Sequence, residues 1–256
     1  MKGPWRGLLT LAGLVLAWQS VVTLGDLPPY ILPDPWAVAL ALWHHIGSLL
    51  HHAGVTALEI VLGMFAGTLL GCGSALALGY SRRARRWLLP ALIASQAIPV
   101  FAIAPLLVLW LGYGMGSKIA MAMLIIYFPV TANFYDGLRH TQRGWLDLAQ
   151  VMLPERRRWA VLRHIAIPAA LPALASGLRV AAAIAPIGAV LGEWVGSSAG
   201  LGYLMLHANS RMQVDLMFAA LLVLAALAVG LYFLVYAGLK RLLPWHRANP
   251  EASETD

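Results

Sequence analysis

The sequence predicts an all-α, polytopic membrane protein with six transmembrane helices. Only 11% of its 256 residues are charged and 60% are hydrophobic, with a mean hydropathy of +0.74; soluble domains carry roughly a quarter charged residues. Several apolar runs reach the roughly 20 residues that a helix needs to cross a hydrocarbon core. Without water in that core, backbone groups must pair inside helices or around a closed barrel. The runs are continuous rather than alternating, which selects helices.

Lys2 and Arg6 precede an apolar run from Gly7 to about Leu24. A basic start before an apolar stretch has the outline of a secretory signal. No small-x-small cleavage site follows, however, and the stretch is long for a signal, so it reads as the first span. The prolines between Asp26 and Pro35 end it, because each removes a backbone donor and fixes φ. Trp36 to His52 reads as a short helix lying at the membrane interface. It holds His44, His45, His51 and His52, but the two pairs are seven residues apart, about 10 Å along a helix. That is too far to share one ion, so no metal site is expected.

The second span, from about Ala53 to Tyr80, carries Gly63, Gly67 and Gly71 at a spacing that lets helices approach closely in lipid. Glu59 is its one carboxylate. An intramembrane acid is a functional candidate, and its place near the outer end puts it within reach of water. Arg82, Arg83, Arg85 and Arg86 close the span. The third span runs from about Leu88 to Leu111 with Pro99 and Pro105 inside it; prolines free carbonyls and kink helices, and broken helices line many transport paths. The fourth covers about Lys118 to Tyr135, the fifth Leu178 to Val195 and the last Val214 to Leu239, with a turn-rich Gly196–Gly202 after the fifth. Between the fourth and fifth lies the one long polar stretch, 136–177. The chain thus divides into a first helix and interfacial segment (1–52), a five-helix core containing the polar loop (53–240) and a polar tail (241–256).

Sixteen of the 18 lysines and arginines fall at the N-terminus, in Arg82–Arg86, between Asp136 and Arg179, or at the C-terminus, leaving Lys118 and Arg211 on the other side. This positive-inside asymmetry puts both termini and the 136–177 segment in the cytoplasm. It also accounts for the net charge of +7 without a nucleic-acid partner.

The single cysteine, Cys72, excludes an intramolecular disulfide or a CxxC site. Gly196-Ser-Ser198-Ala-Gly200 matches the G-x-S-x-G nucleophile pattern, which needs a strand-turn-helix setting and acid and histidine partners. His207 and Asp215 are available, so an intramembrane hydrolase is one alternative function. No G-x-x-x-x-G-K-[ST] phosphate loop precedes Lys2, Lys118 or Lys240, so a nucleotide site, if transport is ATP-driven, belongs to another polypeptide. A secondary transporter working without ATP is the other alternative, with Glu59 as its ion-coupling candidate. No catalytic residue is assigned. Glu59, Ser95, Gln96, Pro99, Asn133 and Glu193 are candidates for a translocation path; for the polar ones, hydrogen bonding between helices is the other role open.

Within the polar stretch, Trp145 to Met152 has helix-forming composition, but so short a helix is marginal alone and needs a partner surface. Asp147-Leu148-Ala149 and Ile165-Ala166-Ile167-Pro168 resemble the E-A-A-x-x-x-G and I-x-L-P parts of the loop of binding-protein-dependent ABC importer permeases. The resemblance covers nearly the whole chain. Ser95–Gly112 and Gly188–Tyr203 are similar to the branch that imports sulfonates, taurine, nitrate and pyrimidine thiamine precursors.

That resemblance implies the type I ABC importer permease architecture with a cytoplasmic coupling helix. Asp147, Leu148, Ala149, Gln150, Leu153, Pro154, Ile165 and Pro168 are then the ATPase-coupling residues. It implies no cofactor on this chain, ATP and Mg on cytoplasmic ABC ATPase subunits, and a periplasmic or lipid-anchored substrate-binding protein. A second permease copy would complete the pore in the lipid of the bacterial inner membrane. Tyr203–Ala220 is similar to permeases for hydroxymethylpyrimidine-type thiamine precursors, the expected cargo, with sulfonate, taurine or nitrate as the alternatives. One departure bears on coupling: Leu153 stands where the family has glycine, and eleven rather than nine residues separate it from Ile165. The turn after the coupling helix is therefore expected to be made through Pro154 and two extra residues.

Overall fold

The computed structural model describes residues 5–142, 144–145 and 158–244. Its helices are α1 (Trp5–Leu24), α2 (Pro35–His44), α3 (Ile46–Tyr80), α4 (Arg82–Ala97), α5 (Val100–Leu111), α6 (Met115–Arg139), α7 (Trp159–Gly196), α8 (Leu201–Ser210) and α9 (Val214–Leu242). Among the described residues there is no strand. Helices α3, α6, α7 and α9 are each long and apolar enough to cross a membrane, and α4 with α5 supplies a fifth span if a pair bent by 103° counts as one. The apolar part of α1, Leu9–Leu24, is shorter.

The centre of the bundle is α3, α6 and α7, brought together by glycine. A Cβ on Gly63 would lie 2.4 Å from the Ala122 Cβ, and one on Gly67 or Gly71 would lie 2.9 Å from a methyl carbon of Ile126 or Val130. Residue numbers rise together along this contact, so α3 and α6 run parallel. On the other side of α6, Gly188 backs onto Ala122 and Gly177 onto the Pro129 carbonyl, where added Cβ atoms would come within 2.7 and 2.8 Å of backbone. There the numbers run oppositely, so α7 is antiparallel to α6. Ala122 sits fully buried between two glycines on two helices. Lipid tails are as apolar as leucine, so close backbone packing rather than water exclusion draws such helices together.

This arrangement gathers arginines at one end. The Tyr80 and Trp159 rings meet edge to face at 6.3 Å. Arg85 and Arg139 lie 5.9 and 5.7 Å from the centre of the Tyr135 ring, within cation–π range. The periphery is tied by fewer contacts. Trp18 of α1 donates its indole N–H to the Pro33 carbonyl at 3.0 Å and packs its ring 5.9 Å from that of Phe218 on α9. Asp34 caps α2 by accepting from the Ala37 N–H at 2.8 Å, with Pro35 at the first helical position where a missing donor costs nothing.

Three sequence expectations are corrected here. Trp36–His52 is not one interfacial helix: the backbone leaves helical geometry at His45 (φ −109°, ψ 17°), and Ile46 to His52 open the long α3. The third span is sharply bent rather than kinked, because Pro99 holds Ile98 extended (φ −89°, ψ 119°) while Pro105 is absorbed inside α5. The helix of the fifth span begins near Trp159, not Leu178, so Ile165 to Pro172, read from the sequence as part of the polar stretch 136–177, lie within α7. A π turn over Leu162–Ala166, with the Ile167 N–H donating to the Leu162 carbonyl, accommodates the donor that Pro168 lacks. Beyond the turn-rich stretch, Leu201–Ser210 form a further helix, α8, in a segment to which the sequence assigned no element.

Candidate functional site

Buried polar groups collect at the end of the bundle opposite the arginines. Helix α8 is preceded by Gly200 in the N-cap position, which has φ 114° and no side chain to cap the free amides of the first turn. Those amides find acceptors on other helices. The N–H of Gly200 donates to His52 Nδ1 at 3.0 Å and that of Leu201 to Thr56 Oγ1 at 2.8 Å. The N–H groups of Gly202 and Tyr203 both donate to Glu193 Oε2, the second at 3.3 Å. Thr56 in turn donates to Glu193 Oε1 at 2.6 Å. A carboxylate here also faces the positive end of the α8 dipole. Glycine is required at 200, where a Cβ would fall 2.2 Å from the Glu193 carboxyl carbon.

His52, Thr56 and Glu59 follow at helical spacing on one face of α3. Glu59 is completely buried, and the Lys118 ammonium of α6 lies 3.1 Å from its Oε1, while Oε2 has no hydrogen-bond partner. Gly192 of α7 makes room for the lysine stem: a Cβ there would sit 3.1 Å from Lys118 Cα. The cluster therefore ties α3, α6, α7 and α8 together with two carboxylates, one ammonium, one hydroxyl and one imidazole. Among the described residues no group of histidine, cysteine or acidic side chains could hold a metal ion.

A second feature lies nearer mid-bundle. A cavity of about 480 Å³ opens beside the α4–α5 break, lined by Gln96 and Val100, by Phe128 and Asn133 of α6, and by Val180 and Ile184 of α7, among others. None of the described residues lining it is charged. Asn133 donates to the Pro129 carbonyl at 2.8 Å, which orients its amide and leaves the amide oxygen free of that bond.

The sequence from residue 59 to 247 matches the family model described as "Binding-protein-dependent transport system inner membrane component". The chain belongs to this family. It is 60% identical over 228 residues to a probable ABC transporter permease protein of Haemophilus influenzae, covering 89% of this chain and 92% of that one. It is 41% identical to a riboflavin transport system permease of Chloroflexus aurantiacus, covering 94% and 90% of the two chains. With a formylaminopyrimidine transport permease of Halalkalibacterium halodurans it shares 35% identity, covering 96% and 99%. A solved structure of the MetNI methionine ABC transporter has the same fold, with TM-score 0.62 at 16% identity over 82% of this chain and 98% of that one.

Within this ABC permease the residues expected on a path separate into two places. Gln96 and Asn133 line the cavity and Pro99 makes the break beside it. Ser95 donates to the Leu92 carbonyl at 2.7 Å and lies next to Gln96, whose amide reaches its hydroxyl at 3.4 Å. Glu59 and Glu193 belong to the other end. The expectation that Glu59 reaches water is corrected: it has no exposure and pairs with Lys118. His52, Thr56 and Lys118 went unrecognised as members of the same buried polar cluster. The isolated Lys118 at the head of one span and the isolated Glu59 in another were the available signal for a buried pair.

Of the expected coupling residues, Ile165 and Pro168 lie in the π turn and first helical turn at the arginine end. Asp147, Leu148, Ala149, Gln150, Leu153 and Pro154 lie outside the described residues. The G-x-S-x-G pattern runs from helix to turn to helix, without the strand a nucleophile elbow needs. Ser198 is exposed, and His207 stacks on Tyr203 at 4.7 Å.

Proposed function

We propose that this permease is the membrane half of an ATP-driven importer whose cargo is a hydroxymethylpyrimidine-type thiamine precursor. The family match over most of the chain carries the transport reading. The cargo reading is supported by the formylaminopyrimidine permease similar over almost the full length of both chains. The riboflavin permease, at higher identity, favours a second reading in which the cargo is a larger nitrogen heterocycle.

In this proposal α1 is a span in its own right, α4–α5 is one broken span, and six spans set both termini on the cytoplasmic side of the bacterial inner membrane. The arginine-rich end then faces the cytoplasm, as positive-inside bias requires, and the end with the Ser197–Gly200 turn faces a periplasmic or lipid-anchored binding protein. A second copy of the chain completes the pore. Cytoplasmic ATPase subunits hold ATP and Mg and drive the pore through a lever around Asp147, Leu148 and Ala149, joined to α7 through Leu153, Pro154, Ile165 and Pro168. ATPase closure moves the two levers together and the helix bundles with them. The π turn lies where that push would enter α7, and such turns recur at functional bends in helices.

The test is uptake into vesicles holding permease, ATPase and binding protein. Exchanging Asp147 for lysine is expected to abolish ATP-dependent uptake while the permease stays inserted. Unchanged uptake in Asp147→Lys, or uphill uptake by the permease alone, refutes the mechanism.

A further inference from the structure

Resting on the cargo reading above, we infer that the cavity beside the α4–α5 break is itself a selective binding site for an uncharged, planar nitrogen heterocycle. Its volume of about 480 Å³ lies within the range of small-molecule sites, about 300–1,000 Å³. Two kinds of side chain in its lining could recognise such a ligand. Phe128, half-buried on α6, presents an aromatic ring for a flat ligand to pack against. Gln96 and Asn133 supply amides, each with an acceptor oxygen and N–H donors. The Asn133 amide is pre-oriented by its bond to the Pro129 carbonyl at 2.8 Å.

Pro129 adds a third element. It sits inside α6 and cannot donate to the carbonyl four residues earlier, that of Ile125, another lining residue. A backbone acceptor is thus released from its helical partner at the cavity wall. Donors and acceptors facing a ring suit an aminopyrimidine, which carries both.

The same lining is unsuited to an anion. A sulfonate or nitrate stripped of water needs a full positive charge or several charge-assisted bonds, and no described lining residue carries one. The first amides of α5, near Val100, offer donors and a partial dipole charge only. The one buried ammonium among the described residues, Lys118, is paired with Glu59 at 3.1 Å and is not among the lining residues. The membrane subunit therefore repeats, in its own wall, the choice of a neutral heterocycle over the anionic cargoes.

The experiment measures uptake of radiolabelled hydroxymethylpyrimidine and of taurine by the complete complex in vesicles, with wild type, Gln96→Ala, Asn133→Ala and the nearly isosteric Asn133→Asp. Co-purification of the ATPase with each variant establishes assembly. Wild type is expected to take up the pyrimidine and not taurine. Each assembled variant should lose about five- to tenfold in uptake at subsaturating cargo, the worth of one ligand hydrogen bond. Full pyrimidine uptake by all assembled variants overturns the cavity assignment while leaving the cargo reading intact. Wild-type vesicles that take up taurine, or neither compound, overturn the cargo reading and the cavity assignment with it.

Discussion

Replacing Lys118 by methionine tests how the buried polar end is held. Methionine keeps the length of the stem that packs past Gly192 but removes the charge 3.1 Å from Glu59. Glu59 has no exposure and its Oε2 no other hydrogen-bond partner, so the carboxylate cannot turn to solvent. Removing one member of a buried pair costs about 3–5 kcal/mol. At about 2–4 °C per kcal/mol for a chain of this size, thermal unfolding of the detergent-purified protein should fall by on the order of 10 °C. Exchanging Glu59 for leucine in the same protein removes the stranded charge and should restore most of the loss, since apolar replacement of a buried pair is often neutral. Two results refute the reasoning: a Lys118→Met protein that melts within about 2 °C of wild type, or a double variant no more stable than Lys118→Met.

Two further predictions follow from the packing and capping. Gly63→Leu should destabilise by about 1–3 kcal/mol or more through overpacking against Ala122, whereas Gly73→Leu on the same helix, with nothing within 4 Å of its Cβ position, should melt like wild type; equal melting of the two would show that the glycine face is not a contact. Glu193→Ala should speed hydrogen exchange at the Gly202 and Tyr203 amides by about tenfold or more, since those donors lose their acceptor, with Glu193→Gln intermediate; unchanged exchange would place the cap elsewhere.

Much of this molecule was legible without coordinates because membrane solvation is an unforgiving filter. A run of some twenty apolar residues in lipid has one low-energy backbone, so the helical class and the long spans ending near Tyr80 and starting near Val214 were readable from hydropathy alone. Gly63, Gly67 and Gly71 announced a close contact because their spacing matches one helix face. Their partner, the Ala122–Ile126–Val130 stripe of α6, was invisible until the helices were assembled.

The polar sites divide the same way. Local composition showed that Glu59, Gln96, Asn133 and Glu193 were unusual, but composition does not measure distance. Only the assembled bundle pairs Glu59 with Lys118, sets Glu193 on the amides of α8 137 residues in sequence from its Thr56 partner, and leaves Gln96 and Asn133 facing one cavity. The proline breaks show the limit most directly. Pro99 and Pro168 look alike in a sequence, since each lacks a donor. One bends its span by 103° and the other is absorbed in a π turn, because what a missing hydrogen bond does to a helix depends on what is packed around it. Sequence by itself determined which segments enter lipid; tertiary packing decided which buried charges meet, which helices break and where space for a ligand remains.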